Sequence, residues 1–169
     1  MPGTRAYVGV GANLGDARLT VCQALQRLQA LGTVRSSSLY RSAPIDAQGP
    51  DFINAVAELD TPLPPAELLA ALQVIETAFG RERPYRNAPR TLDLDLLLHG
   101  DSVLLTPTLT LPHPRLHQRA FVLLPLLELA PTLQAPGLGL LADHLGAVAG
   151  QPIERLGEVG TGRPPTIAP

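Results

Sequence analysis

Thr91-Leu92-Asp93-Leu94-Asp95-Leu96-Leu97-Leu98 is the stretch on which the reading of this chain turns. Alternation at period two makes it a strand, with Leu92, Leu94, Leu96 and Leu98 on one face and Thr91, Asp93, Asp95 and Leu97 on the other. The leucine face needs a core to lie against, since each such side chain gains ~1.5–3 kcal/mol on burial. The two carboxylates leave the opposite face roughly 6.6 Å apart along the backbone. A divalent cation would relieve their repulsion, and an all-oxygen donor set suits Mg²⁺. Zn²⁺ is disfavoured because no compact His/Cys cluster accompanies the pair. A solvent-facing acidic strand is the alternative.

Just upstream, Arg81, Arg83, Arg86 and Arg90 put four guanidinium groups close together, opposed only by Glu82, in a segment that Pro84 and Pro89 mark as a loop. Guanidinium is planar, permanently charged and rich in donors, which suits phosphate oxygens. A polyphosphate could bridge these arginines and a metal held by Asp93 and Asp95, leaving neither charge set uncompensated. Surface ion pairs are the competing explanation for the basic loop.

Working outward, Ala6 to Val10 reads as a buried strand, after which Gly9, Gly11 and Gly15 carry the backbone through a tight loop. Those glycines resemble a phosphate cradle only loosely, and tight strand and helix packing is the simpler account. Asp16 can cap a helix whose apolar stripe is Val21, Ala24, Leu25, Leu28 and Leu31, with Gly32 placed to end it in a left-handed conformation. Cys22 in that helix reads as a small buried side chain. Val34 to Tyr40 is expected as one strand, Arg41 to Asp51 as a loop, and Phe52 to Leu59 as another strand. In that last strand Phe52, Asn54, Val56 and Glu58 oppose Ile53, Ala55, Ala57 and Leu59. A second helix begins near Pro65, carries the stripe Leu68, Leu72, Ile75 and Phe79, and stops at Gly80, with Glu76 at the margin of the stripe.

Beyond the acidic strand, Gly100-Asp101 can turn into a small arm through Val103 to Leu105. His113 lies between prolines, where its imidazole could donate to phosphate beside Arg119 or simply make a structural hydrogen bond. His117 reads as a core or surface residue. A third helix is expected from Gln118 or Arg119 towards Glu128. The resulting order of strand, helix, strand, strand, helix, strand suits a split βαβ arrangement with helices on one side of a mixed four-stranded sheet.

Length and composition bound this reading. The 169 residues favour one domain, and 45% apolar types with 32 leucines are ample for a core. All 13 basic residues are Arg, so no lysine exists for a Schiff base, a Walker A loop or a kinase strand lysine. A formal net charge of -2 gives no broad positive surface for nucleic acid or bilayers. One Cys cannot form an internal disulfide, and no apolar run of about 18 residues is present to cross a membrane. A cytoplasmic setting is the expectation.

Assembled in order, these motifs resemble the 6-hydroxymethyl-7,8-dihydropterin pyrophosphokinase family of folate biosynthesis. The resemblance runs from about Ala6 to Pro131 and is strongest over Ala88-Pro89-Arg90-Thr91-Leu92-Asp93-Leu94-Asp95. Gly11-Ala12-Asn13-Leu14-Gly15, Ser38-Leu39-Tyr40-Arg41-Ser42, Phe52-Ile53-Asn54-Ala55, Leu111-Pro112-His113-Pro114-Arg115 and Arg119-Ala120-Phe121-Val122-Leu123 add agreement along the chain. It implies a ferredoxin-like α/β (α+β) fold: a βαββαβ core, a mixed, mainly antiparallel sheet with helices packed on it, and a C-terminal extension. One domain is expected over residues 1–156, with a loose tail at 157–169.

The family resemblance also implies transfer of a diphosphoryl group from ATP to the pterin hydroxymethyl oxygen, giving AMP, with two Mg²⁺ ions on Asp93 and Asp95. It implies catalytic roles for Arg81, Arg90, Asp93 and Asp95, and ATP contacts from Glu76, Arg81, Arg83, Arg90, His113 and Arg119. The pterin would meet Ser42, Pro44, Ile45, Phe52, Asn54, Asp93 and Phe121. Asn87 stands where relatives commonly carry Trp, and Phe52 where they often carry Tyr. The expected partners are ATP and the pterin, with no nucleic acid and no membrane, and the expected state is a monomer. A Mg²⁺-dependent phosphohydrolase and a ferredoxin-like RNA-binding module are the competing readings.

Overall fold

The computed structural model describes residues 3–44, 49–80 and 92–159. Strand β1 (Thr4–Ala12) leads through Gly15, at φ 60°, to helix α1 (Ala17–Leu28), whose N-cap Asp16 accepts the Leu19 N–H at 3.1 Å. Strands β2 (Thr33–Ser36), β3 (Leu39–Ser42) and β4 (Phe52–Thr61) follow, then helix α2 (Pro65–Ala78) and strand β5 (Asp93–His99). The main sheet runs β10-β3-β4-β1-β5 with β2 also on β4, where β10 is Ile153–Gly157, and each of these pairings is antiparallel. The expected order of strands and helices is present with one strand added from the C-terminal extension, but the sheet expected to be mixed is antiparallel at every described pairing.

The single strand expected over Val34 to Tyr40 is broken in the middle, and the hydrogen bonds show why. Ser37 donates its N–H to Val56 O and accepts the Val56 N–H on its own Oγ, so a side chain replaces a ladder carbonyl. Ser38 then turns its N–H to the Glu128 carboxylate instead of to β4. Gly32 also departs from expectation: its φ is not positive, and α1 has already ended at Leu28. A Cβ there would collide with the Asp60 carbonyl oxygen, so the glycine is required by close approach of two backbones.

Helices α1 and α2 cover one face of the sheet, burying Val8, Val10, Leu25, Leu28, Leu72 and Leu94 together. These two core helices lie on one side as expected, and α3 (Ala120–Leu129) adds a cover on the other face, packing on β4 and β3 around Val56, Leu97, Leu123 and Leu126. Leu98 belongs to this second cluster and not with Leu92, Leu94 and Leu96. Tyr7 pairs with Leu98 but Val8 with Leu96, so Leu97 is an extra residue and the alternation shifts.

The arm after Gly100 is a two-stranded hairpin, β6 (Leu104–Leu105) with β7 (Thr110–Leu111). Beyond α3, β8 (Gln134–Ala135) pairs with β9 (Gly139–Leu140), and a 3-10 turn (Leu141–His144) and the short helix α4 (Leu145–Val148) lead back to β10. The tail boundary expected at Gly157 falls inside β10, where Gly157 still faces Leu39. No helix among the described residues is long and apolar enough to cross a membrane.

Candidate active site

Helix α3 sits over β3 and β4, and among the described residues the neighbouring part of this sheet face stays open. Its floor is made by β1 and β5, where Gly11 faces Asp93 and Gly9 faces Asp95. Alternation places both glycines and both carboxylates on one side of the sheet. The glycines lie within the strand at ordinary φ, not in a turn, which corrects the loop reading. Their missing side chains leave room: a Cβ at Gly11 would stand 3.2 Å from Asn54 Oδ1, and one at Gly9 3.6 Å from Leu97 Cδ2.

Above this floor is a cavity of about 520 Å³. Ser42, Phe52 and Asn54 line it from β3 and β4, Asp93 and Asp95 from β5, and Arg119 and Phe121 from the start of α3. Residues far apart in sequence therefore meet at one opening. Asn54 is 3% exposed and donates from Nδ2 to Ser42 Oγ at 2.7 Å, which fixes its amide plane. Its Oδ1 is an acceptor of set direction in a cavity that Phe52 and Phe121 also line, an arrangement that can read the edge of a flat heterocycle. The Arg119 guanidinium carbon lies 5.5 Å from the Phe121 ring centroid, so a cation and an aromatic surface are presented together.

His113 stands outside the lining of this cavity. Its backbone N–H donates to Leu97 O, and its Nδ1 accepts the Arg115 N–H at 3.1 Å. That leaves Nε2 as the protonated nitrogen of the neutral ring. Burial holds the imidazole below its ordinary pKa; Asp95 pulls it upward, and Arg119 and Arg115 push it further down. At neutral pH His113 is an uncharged donor close to the acidic strand.

Glu76 and Pro44 do not line the cavity either. Glu76 is buried, and its Oε2 accepts the Leu94 N–H at 2.9 Å, so α2 holds strand β5 beside the two aspartates. Ile45, Arg81, Arg83, Arg86, Asn87 and Arg90 lie outside the described residues. Arg115, Gln118 and Gln151 line the cavity without having been singled out from the sequence. Arg115 closes the quoted Leu-Pro-His-Pro-Arg motif and was legible there, whereas nothing local marks Gln151.

Three comparisons bear on this geometry. The family model described as 7,8-dihydro-6-hydroxymethylpterin-pyrophosphokinase (HPPK) matches residues 7–131. The 2-amino-4-hydroxy-6-hydroxymethyldihydropteridine pyrophosphokinase of Pseudomonas aeruginosa is 47% identical over 156 residues, covering 90% of this chain and 96% of that protein. The protein of the same name from Haemophilus influenzae is 40% identical over 142 residues, covering 82% and 89%. Among solved structures, a Plasmodium falciparum HPPK-DHPS triple mutant superposes with a TM-score of 0.72 at 16% identity, over 85% of this chain. The chain spans 44% of that longer one, and the likeness shows the shared fold. With the family model running from β1 through α3 and the bacterial relatives matching nearly end to end, this chain belongs to the 7,8-dihydro-6-hydroxymethylpterin-pyrophosphokinase family.

Proposed function

We infer that this chain is an ATP-dependent diphosphotransferase that moves the diphosphoryl group of ATP to the hydroxymethyl oxygen of 6-hydroxymethyl-7,8-dihydropterin, releasing AMP, in folate biosynthesis. The observation that carries the reading is the single cavity in which a directional amide and two aromatic rings stand beside two strand carboxylates and an arginine. The amide and the rings suit a flat, hydrogen-bonding heterocycle, and the arginine, with cations on the carboxylates, suits a chain of phosphates.

On the pterin side, Asn54 reads the edge of the heterocycle while Phe52 and Phe121 clasp its faces beside Ser42, and Pro44 and Ile45 are assigned to the pterin on the family resemblance. On the phosphate side, Arg119 meets the nucleotide from α3, and His113 donates from Nε2 as a neutral ring. Glu76 acts on the nucleotide side through β5, whose backbone it holds at Leu94. Arg81, Arg83 and Arg90 are assigned to the triphosphate on the family resemblance, with Arg81 and Arg90 acting in the transfer itself.

Asp93 and Asp95 fit two Mg²⁺ ions: their donors are hard oxygens on one strand face and both open on the cavity. When bound, the ions supply charge neutralisation for the ATP phosphates. The chain's own contribution is orientation. The sheet floor and α3 bring the groups assigned to the pterin and to the phosphates to one opening, so that in-line approach of hydroxyl and phosphate would cost little further ordering. The reaction is assigned to a monomer acting in a reducing cytoplasm, a setting in which Cys22 needs no disulfide partner.

Phosphorus NMR of ATP, the reduced pterin and Mg²⁺ tests the reading, with acceptor-free and metal-free controls. Pterin-dependent AMP together with a diphosphorylated pterin is the expected result, and Asp95→Ala should abolish the Mg²⁺ dependence of productive ATP binding. Release of inorganic phosphate without the pterin would replace this reading with a phosphohydrolase.

A further inference from the structure

Helix α3 begins with an apparent local error. Its N-cap is Arg119, which has no side-chain acceptor, and no cap hydrogen bond comes from that residue. Ser, Thr, Asp or Asn at this position would satisfy one of the exposed first-turn N–H groups. An acceptor for another of those groups, the N–H of the first helical residue, comes from far along the chain. Gln151 Oε1 accepts the Ala120 N–H at 2.8 Å, and Gln151 Nε2 donates to Gln118 O, also at 2.8 Å.

One carboxamide thus grips the residue before Arg119 and the residue after it. The Arg119 carbonyl is held as well, accepting the N–H groups of Val122 and Leu123 at 3.1 and 2.9 Å. The backbone that carries the guanidinium is fixed on both sides, and Gln151 itself borders the cavity. Gln151 lies beyond the stretch matched by the family model, in the segment that leads from α4 into β10.

We propose that Gln151 is a positioning residue for the phosphate side of the reaction: it replaces the cap that Arg119 cannot provide and aims Arg119 at the nucleotide. This rests on the pyrophosphokinase reading above. The physical logic is a division of labour. The N-cap position is given to a charge the site uses, and the lost backbone satisfaction is restored from a distant segment. Because the grip is on the backbone at Gln118 and Ala120, its loss lets Arg119 swing without disturbing the Asn54 and Ser42 pair on the pterin side.

The test is a double-mutant cycle with Gln151→Met, which keeps the length of the side chain and removes both hydrogen bonds. Alone, it lowers kcat/KM for ATP by about tenfold, the scale expected when a charged group is misplaced by a fraction of an ångström, and raises KM for the pterin less than KM for ATP, because Phe121 follows the loosened Ala120 while Asn54 keeps its bond to Ser42. On an Arg119→Ala background the same change costs less than about twofold further, because the group it aims is gone. Unaltered kcat/KM in the single variant, or an equal further loss on the Arg119→Ala background, overturns the proposal. If the methionine variant does not accumulate as folded protein, Gln151→Ala is carried through the same cycle and judged by the same outcomes. Should the wild-type chain form no pterin-dependent AMP, the reading of the reaction fails. The cycle run on calorimetric affinity for a non-hydrolysable ATP analogue then decides the role of Gln151 by itself.

Discussion

Gly11 shows how much of this site depends on an atom that is not there. It pairs across the sheet with Asn54 on one side and Asp93 on the other, and its backbone needs no unusual φ. A methyl group at 3.2 Å from Asn54 Oδ1 is too close for comfort, and the amide must yield by a few tenths of an ångström. Gly11→Ala should therefore raise KM for the pterin about tenfold, the scale of one displaced contact, with a much smaller effect on KM for ATP. Steady-state kinetics with each substrate varied in turn checks this. Equal effects on both substrates would remove Asn54 from its assigned role. The alternation of Gly9 with Gly11 was visible in the sequence, but that it lies opposite Asp93 and Asp95 was not.

At the scale of elements, Glu128 near the end of α3 binds the helix to the break between β2 and β3. Its carboxylate accepts the Ser38 N–H, the Ser38 hydroxyl and the Tyr40 hydroxyl, the last at 2.6 Å. Burial raises its pKa, but hydrogen bonds from Tyr40 and Ser38 and the charge of Arg155 outweigh it and hold the carboxyl below its ordinary 4.5. Glu58 behaves alike beneath Arg35 and Tyr7, and the Tyr7 phenol is pushed up to about 12 by burial and by Glu58. A depressed folded-state value means stability that is present above about pH 4.5 and lost as pH falls through the folded value. Glu128→Gln should cost about 1–2 kcal/mol at neutral pH by urea denaturation, and the gap from wild type should shrink near pH 3. A gap that stays constant between the two pH values would deny the carboxylate its role.

At the scale of the whole molecule, the C-terminal extension is built into both the main sheet and the wall of the cavity. Strand β10 completes the sheet on β3, Arg155 reaches Ser38 Oγ at 2.9 Å, and Gln151 holds the start of α3. Removing residues 151–169 should cost about 2–4 kcal/mol of stability, since a strand pairing and two buried-edge hydrogen-bond sets are lost together. It should also lower catalytic efficiency. Removing residues 160–169 alone should leave the thermal midpoint and turnover within error of the full chain. Calorimetry and kinetics on the two truncations test this, and equal losses from both would shift the domain boundary past the expected tail.

The period-two and period-3.6 patterns of this chain determined its helices and most of its strands, the side of β4 that carries Asn54, and the shared face of Asp93 and Asp95, because backbone geometry alone fixes which neighbours point together. The family motifs along residues 7–131 carried the reaction class. Tertiary structure decided the rest: the bulge that turns Leu98, the second face covered by α3, the backbone approach that demands Gly32, and the grip of Gln151 on Ala120. Each of these pairs groups distant in sequence, where the choice of partner follows from which packing buries the most apolar surface while leaving the fewest backbone donors unsatisfied, a competition that no local pattern records.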